Sequence, residues 1–237
     1  GEEQPVYGLR AVGLSEEIRL PATIEELAKG YVDEVKAVQP SGPYHLAGWC
    51  IGGVAAFEMA QQLLRQGDRV GFLGILNYEA PSKERWGTKR SAMMGLLRET
   101  HHLGGDLLRY ARWRRQAKSL ELPSRIVRLE RLMMRAVGIL PPEELTLPGA
   151  DFSTLPENWK RAMLNLISIV RSYEPRRYGG VLTVFRQELN PIFSSRDPDD
   201  GWGHLAGGGI IVINTKGRRH VDMLEPPEAE ATARTIR

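Results

Sequence analysis

A single cysteine, Cys50, stands in the string Gly48-Trp49-Cys50-Ile51-Gly52-Gly53. The pattern is G-x-S-x-G with cysteine in place of serine, which makes the thiol a candidate nucleophile. The chemistry needs that spacing. A nucleophile held in a sharp turn with positive φ joins a strand directly to a helix. The side chains two before and two after must then be nearly absent if strand and helix are to pass each other. The helix N-terminus would turn free N–H groups toward the sulfur, favouring a thiolate and any oxyanion formed beside it. The N–H of Ile51 is the donor this sequence assigns to that oxyanion hole. A glycine-rich turn next to an inert buried thiol would give the same letters, so the flanking elements must decide.

A nucleophile also needs a base, and the chain has five histidines. His45 falls within an apolar strand-like run and reads as a packed core residue. His101 and His102 lie in a strongly basic stretch, and His204 follows Trp202-Gly203 in a glycine-rich loop. His220 comes just after the last strand-like run, in Lys216-Gly217-Arg218-Arg219-His220-Val221-Asp222. Nucleophile, acid, then histidine after the final strand is the chain order of α/β-hydrolases, so His220 is the candidate base.

The elements around these residues fit. Thr23-Ile24-Glu25-Glu26 is a capping box, and apolar residues then recur at three and four from Ile24 to Val38 until Pro40-Ser41-Gly42-Pro43. Residues 44–49 (YHLAGW) and 70–76 (VGFLGIL) read as strands, with a helix over 54–66 between them and Gly67 as its stop. That is a βαβ unit, hence a parallel sheet covered by helices. Residues 4–9 (QPVYGL) read as a further short buried strand. Residues 85–137 are helical in composition and rich in arginine and lysine, and 159–173 is another amphipathic helix. Strand character returns at 181–186 and 210–214, and a short helix from about Pro227 follows. The expected fold is α/β, with core residues 1–79 and 176–237 and a helical lid inserted at 80–175.

Composition narrows the function classes. Of 237 residues, 42% are apolar and 26% charged, ordinary for a globular chain, and no long uncharged apolar run suggests a membrane span. One cysteine excludes an internal disulfide framework and a multi-cysteine zinc site. A net charge of +3 is too mild to imply nucleic acid without a motif. The opening Gly1-Glu2-Glu3-Gln4-Pro5 lacks a signal-peptide pattern, so a cytoplasmic location is expected.

The chain resembles the thioesterase domain that ends modular nonribosomal peptide and polyketide synthetases. The resemblance rests on QPVYGL with Gly13-Leu14, on GPYHLAGWCIGGVAAFEMAQQL, on the strand ending Leu76-Asn77, and on Arg219-His220-Val221-Asp222-Met223-Leu224. It implies an α/β-hydrolase fold with a helical lid after the strand that follows the nucleophile turn. It also implies the activity: transfer of a peptide or acyl chain from a carrier protein's phosphopantetheine thioester to the nucleophile, then release by hydrolysis or cyclisation. No bound cofactor or metal is implied. The phosphopantetheine belongs to the partner, an acidic carrier domain expected upstream in the same synthetase.

The chain departs from the family pattern in three ways. Cys50 replaces serine. Asn77 occupies the place of the acid, where it can orient His220 without carrying charge; Cys-His-Asn is also the papain arrangement, and a thiol needs a weaker base than a hydroxyl. Glu188 is the alternative acid, and Glu79 lies close in sequence. Finally, the family begins with another strand and a glycine-containing loop before the QPVYGL stretch. The resemblance therefore implies that N-terminal strand or strands, with a second oxyanion donor, are missing from the given chain. The basic insertion reads either as solvated helices or as a docking face, with Trp49, Arg112, Arg114 and Arg115 as candidate contacts to substrate or carrier. Cysteine-bearing members of the family are associated with β-lactam and β-lactone rings, so cyclising release is the first expectation. Hydrolytic editing is an alternative, and a non-catalytic acyl-binding module is another.

Overall fold

A computed structural model of the chain describes residues 5–14, 19–81, 156–187, 197–216 and 222–235. Four parallel strands form one sheet in the order β1-β2-β3-β4: β1 Tyr44–Trp49, β2 Val70–Leu76, β3 Leu182–Gln187 and β4 Ile210–Thr215. The helices are α1 Ile24–Val38, α2 Ile51–Arg65, α3 Glu157–Ser172 and α4 Glu228–Thr235. Parallel strands cannot be joined by tight hairpins, and here α2 makes the crossover from β1 to β2. Among the described residues no helix is long and apolar enough to cross a membrane.

Local chemistry sets the helix ends. The Thr23 hydroxyl accepts the Glu26 N–H at 3.1 Å, as the capping box requires. The returning Glu26 carboxylate accepts from the Ala22 N–H at 2.7 Å, one residue earlier than the box assigns. Gly67 ends α2 at φ 84, where its N–H reaches the Leu64 carbonyl and Asp68 N–H reaches that of Leu63. Helix α2 starts at Ile51, three residues before the expected start, because weak helix formers Gly52 and Gly53 conceal its first turn.

Side chains alternate across the sheet. Leu73, Ile75 and Val184 join Ile24, Leu27, Val32, Phe57, Leu63 and Trp202 in the larger core, with Ile169 and Val170 of α3. Leu76 and Phe185, the next residues along β2 and β3, face the other way and are buried with Met223. Helix α3 falls within the 80–175 range assigned to the insertion, yet it shares the core with α1 and α2. Its Asn158 and Asn165 donate to the Leu14 and Pro21 carbonyls at 2.6 and 3.0 Å. The Tyr173 hydroxyl after it donates to buried Glu58 of α2 at 2.7 Å. Burial, reinforced by the Glu58 carboxylate, holds that phenol protonated.

Two expectations are corrected. Residues 5–10 form no strand; Val6 is 88% and Tyr7 73% exposed, and no described strand pairs with them. His45 is exposed rather than packed, because Tyr44 and Leu46 take the buried face of β1 and alternation turns His45 away. It lies over Gly71, where a Cβ would meet the imidazole Nε2 at 2.6 Å.

Candidate active site

Strand β1 delivers Cys50 to the carboxyl edge of the sheet. Trp49 is in register with Leu76, and the Cys50 N–H continues the ladder to the Leu76 carbonyl at 2.9 Å. Cys50 then takes φ 55, ψ −132 and becomes the N-cap of α2, with Gly53 N–H donating to its carbonyl at 2.9 Å. A non-glycine residue at positive φ stores about 1–3 kcal/mol that its surroundings must offset. The ladder bond on one side and the helix turn on the other do so here.

The glycines share the work differently from the spacing argument. A Cβ at Gly48 would run into the Gly52 carbonyl oxygen and stand 2.5 Å from the Gly53 nitrogen. One at Gly53 would lie 2.9 Å from Ile75 Cγ2, whereas one at Gly52 would meet nothing within 4 Å. The turn thus needs small residues at 48 and 53, while 52 matters through its backbone. Gly48→Ala should cost more than ~3 kcal/mol, since the clash is with backbone. Gly52→Ala should be neutral or stabilising by up to ~1 kcal/mol, from helix propensity. Denaturant unfolding of the two variants checks this; equal losses would refute it.

The sulfur is nearly enclosed, with Cys50 7% exposed. Burial pushes its thiol up to about 11, while the hydrogen bond from the Ile51 N–H pulls the other way. The helix N-terminus therefore acts in the expected direction, but burial outweighs it, and a thiolate at neutral pH calls for a further positive partner.

Asn77 follows β2 next to this turn. Its N–H donates to the Phe185 carbonyl of β3 at 2.7 Å, and its φ is 54. Asparagine and aspartate are the non-glycine residues that best tolerate this region, so backbone geometry and an orienting role favour the same two residue types. Trp49 is half-buried and packs against both buried clusters. Glu79 is half-buried two residues beyond Asn77, and His204 is exposed. His220, Glu188, Arg112, Arg114, Arg115, His101 and His102 lie outside the described residues. The described chain nearest His220 is Lys216, just after β4, and Asp222, next to buried Met223. A cavity of about 260 Å³ beside Glu58, Arg65 and Tyr173 does not include Cys50 in its wall.

A second turn, outside the nucleophile motif, also borders the site. Asp197-Pro198-Asp199-Asp200-Gly201 is a turn-forming string, and it folds against the chain just after Asn77. The Asp200 carbonyl accepts the Ala80 N–H at 2.9 Å, and the Trp202 indole N–H donates to the Tyr78 carbonyl at 2.8 Å.

Residues 3–120 match the family model described as Thioesterase domain. The dimodular nonribosomal peptide synthase of Bacillus subtilis (strain 168) is 31% identical over 230 residues, 95% of this chain and 9% of the relative. Malpibaldin synthetase of Mortierella alpina is 42% identical over 238 residues, 99% of this chain and 4% of the relative. The chain thus spans less than a tenth of the length of either relative. In fold it is similar to the NocB thioesterase domain, solved in covalent complex with a fluorophosphonate nocardicin G analog. That likeness has a TM-score of 0.53 at 22% identity, over 93% of this chain and 76% of that one. A parallel sheet flanked by helices, with a sharp turn carrying Cys50 from β1 into α2, is the α/β-hydrolase fold. Within that class the chain belongs to the thioesterase domains, enzymes found in nonribosomal peptide synthetases.

Proposed function

We propose that this domain releases a peptide or acyl chain from a carrier-borne phosphopantetheine thioester through an acyl-enzyme on Cys50, and that release closes a ring. The observation that carries the reading is Cys50 at positive φ on the head of α2, with the Ile51 N–H bonded to it and Asn77 directly following the adjacent strand. His220 is the base and Asn77 orients its imidazole. His220 takes the thiol proton as the sulfur attacks the thioester carbonyl. The Ile51 N–H stabilises the oxyanion, and the departing phosphopantetheine thiol takes the proton from His220. In the second half an internal nucleophile of the acyl chain gives its proton to His220 and attacks the new thioester. The Cys50 sulfur leaves and is reprotonated. No resident cofactor is needed, since the phosphopantetheine arrives with the substrate.

Ring closure is the favoured outcome because a thioester keeps more acyl-transfer free energy than an oxyester. A strained β-lactam or β-lactone would draw on that reserve, while hydrolysis would not need it. Met223 supports His220 as the base: three residues on, it is buried with Leu76 and Phe185 beneath the strand ends that lead to Asn77. The burial of Cys50 favours the competing reading, a non-catalytic acyl-binding module.

The carrier is an acidic domain that docks on the basic insertion containing Arg112, Arg114 and Arg115. Mass spectrometry after mixing with the loaded carrier should find the acyl mass on Cys50. Reversing the three arginines to glutamate should slow that loading about tenfold or more and spare a small free thioester. No mass increment under any loading condition would leave the binding-module reading standing. Equal slowing of both substrates would refute the docking face.

A further inference from the structure

Among the described residues, three that are not glycine have positive φ: Cys50, Asn77 and Asp200. The first two belong to the acyl-transfer site proposed above; the third has no part in that chemistry. Such conformations persist where neighbouring structure over-determines them, and the bonds around Asp200 lead back to the other two.

Asp200 is 4% exposed and sits in the turn before Trp202. Its carboxylate lies 3.3 Å from Arg186 Nη2, and the same guanidinium donates through Nη1 to the Pro198 carbonyl at 2.9 Å. Arg186 belongs to β3 and follows Phe185, whose carbonyl holds the Asn77 N–H. The Thr215 hydroxyl of β4 fastens the Arg186 carbonyl at 3.0 Å. From this anchored turn two bonds reach the segment after Asn77, Ala80 N–H to the Asp200 carbonyl and Trp202 N–H to the Tyr78 carbonyl. Trp202 is fully buried, and its ring packs on Phe57 of α2 at 5.0 Å between centroids, tilted by 52°. One side chain therefore touches the helix that Cys50 caps and, through its N–H, the residue after Asn77.

We infer that Trp202 is a positioning residue for acyl transfer: with Asp200 and Arg186 it clamps residues 78–80 against α2 and so fixes the Asn77 turn relative to Cys50. The inference rests on Asn77 having the orienting role proposed above. Any buried indole N–H needs an acceptor; what marks this one is that its acceptor is the carbonyl of Tyr78, the residue after Asn77. Phenylalanine at 202 would keep most of the packing and lose that bond.

The test is a double-mutant cycle in the intact protein, read as kcat and KM for a thioester substrate. Trp202→Phe should lower kcat about tenfold, the scale of one buried hydrogen bond, and leave KM within about twofold. Asn77→Ala should lower kcat as well. Trp202→Phe added to Asn77→Ala should cost less than about twofold more, because both changes release the same turn. Asp200→Asn, which keeps the carbonyl bond to Ala80 but removes the charge facing Arg186, should move kcat in the same direction by a smaller factor. It serves also if the tryptophan variant fails to fold. A tenfold cost of Trp202→Phe repeated in the Asn77→Ala background would overturn the inference. So would a fall in thermal midpoint with kcat unchanged. If Asn77→Ala alone leaves kcat untouched, the orienting role of Asn77 falls, and this inference with it. If Asn77→Ala matters and Trp202→Phe does not, this inference alone falls.

Discussion

Cys50→Ser, given the native carrier-bound substrate, should load but fail to cyclise. We expect the acyl-serine form to accumulate or to give hydrolysed acid, with cyclic product down by more than about a hundredfold, a barrier increase near ~3 kcal/mol. The oxyester that serine forms lies lower than the thioester, so a strained product can sit above the acyl-enzyme and closure stalls or runs backward. Attack by water releases no strained ring and is not held back in the same way. Separating cyclic product, linear acid and acyl-enzyme by mass spectrometry measures all three fates. The same cyclic product from the serine variant at a comparable rate would show that the thioester reserve is not what the cysteine supplies. The variant preserves the turn, since Cys50 holds its positive φ by backbone bonds to Leu76 and Gly53 rather than through the sulfur.

The turn at Cys50 was legible because its requirements are local. Two strand-like runs, a helix between them and glycines around a thiol leave few other arrangements. The parallel pairing of β1 with β2 followed from the same crossover logic, whereas the places of β3 and β4 in the sheet are set by long-range pairing the sequence does not announce. His45 was misread because its neighbours on β1 are apolar, and strand alternation hides a solvent-facing residue among them. Residues 5–10 have the apolar content of a strand, but a strand exists only where another accepts its bonds, and that partner is not encoded within six residues. The clamp at Trp202 was illegible for a related reason. It joins Trp202 to Tyr78 across 124 positions of sequence, and the string before it announces a turn without saying what the turn will face. The pull of burial on Cys50 was hidden as well, because the lining of the turn comes from separate strands and helices.

That burial makes the base the decisive partner. With its thiol at about 11, Cys50 alone would be ionised in about one molecule in ten thousand at pH 7, four units below. A histidine that shares the proton and brings the midpoint to about 7 would raise the thiolate fraction roughly five-thousandfold. The less basic thiolate is also a weaker nucleophile, by about forty- to a hundredfold over four units at a Brønsted slope of 0.4–0.5. Iodoacetamide should therefore alkylate the native protein about a hundredfold faster than His220→Ala at pH 7, the quotient of those two factors. The sign with pH follows from the same terms. Alkylation needs the thiolate, so the rate of His220→Ala should keep rising toward pH 11 while that of the native protein flattens far earlier; the gap closes at about pH 9 and reverses above it, where the more basic thiolate is the better nucleophile. Asn77→Ala should fall between the two, since it loosens the imidazole without removing it. The measurement is the pH profile of Cys50 alkylation followed by mass spectrometry. A native profile that rises once, near 11, and coincides with that of His220→Ala would mean that no base reaches the sulfur. The domain would then be a binding module that kept the nucleophile turn without its chemistry.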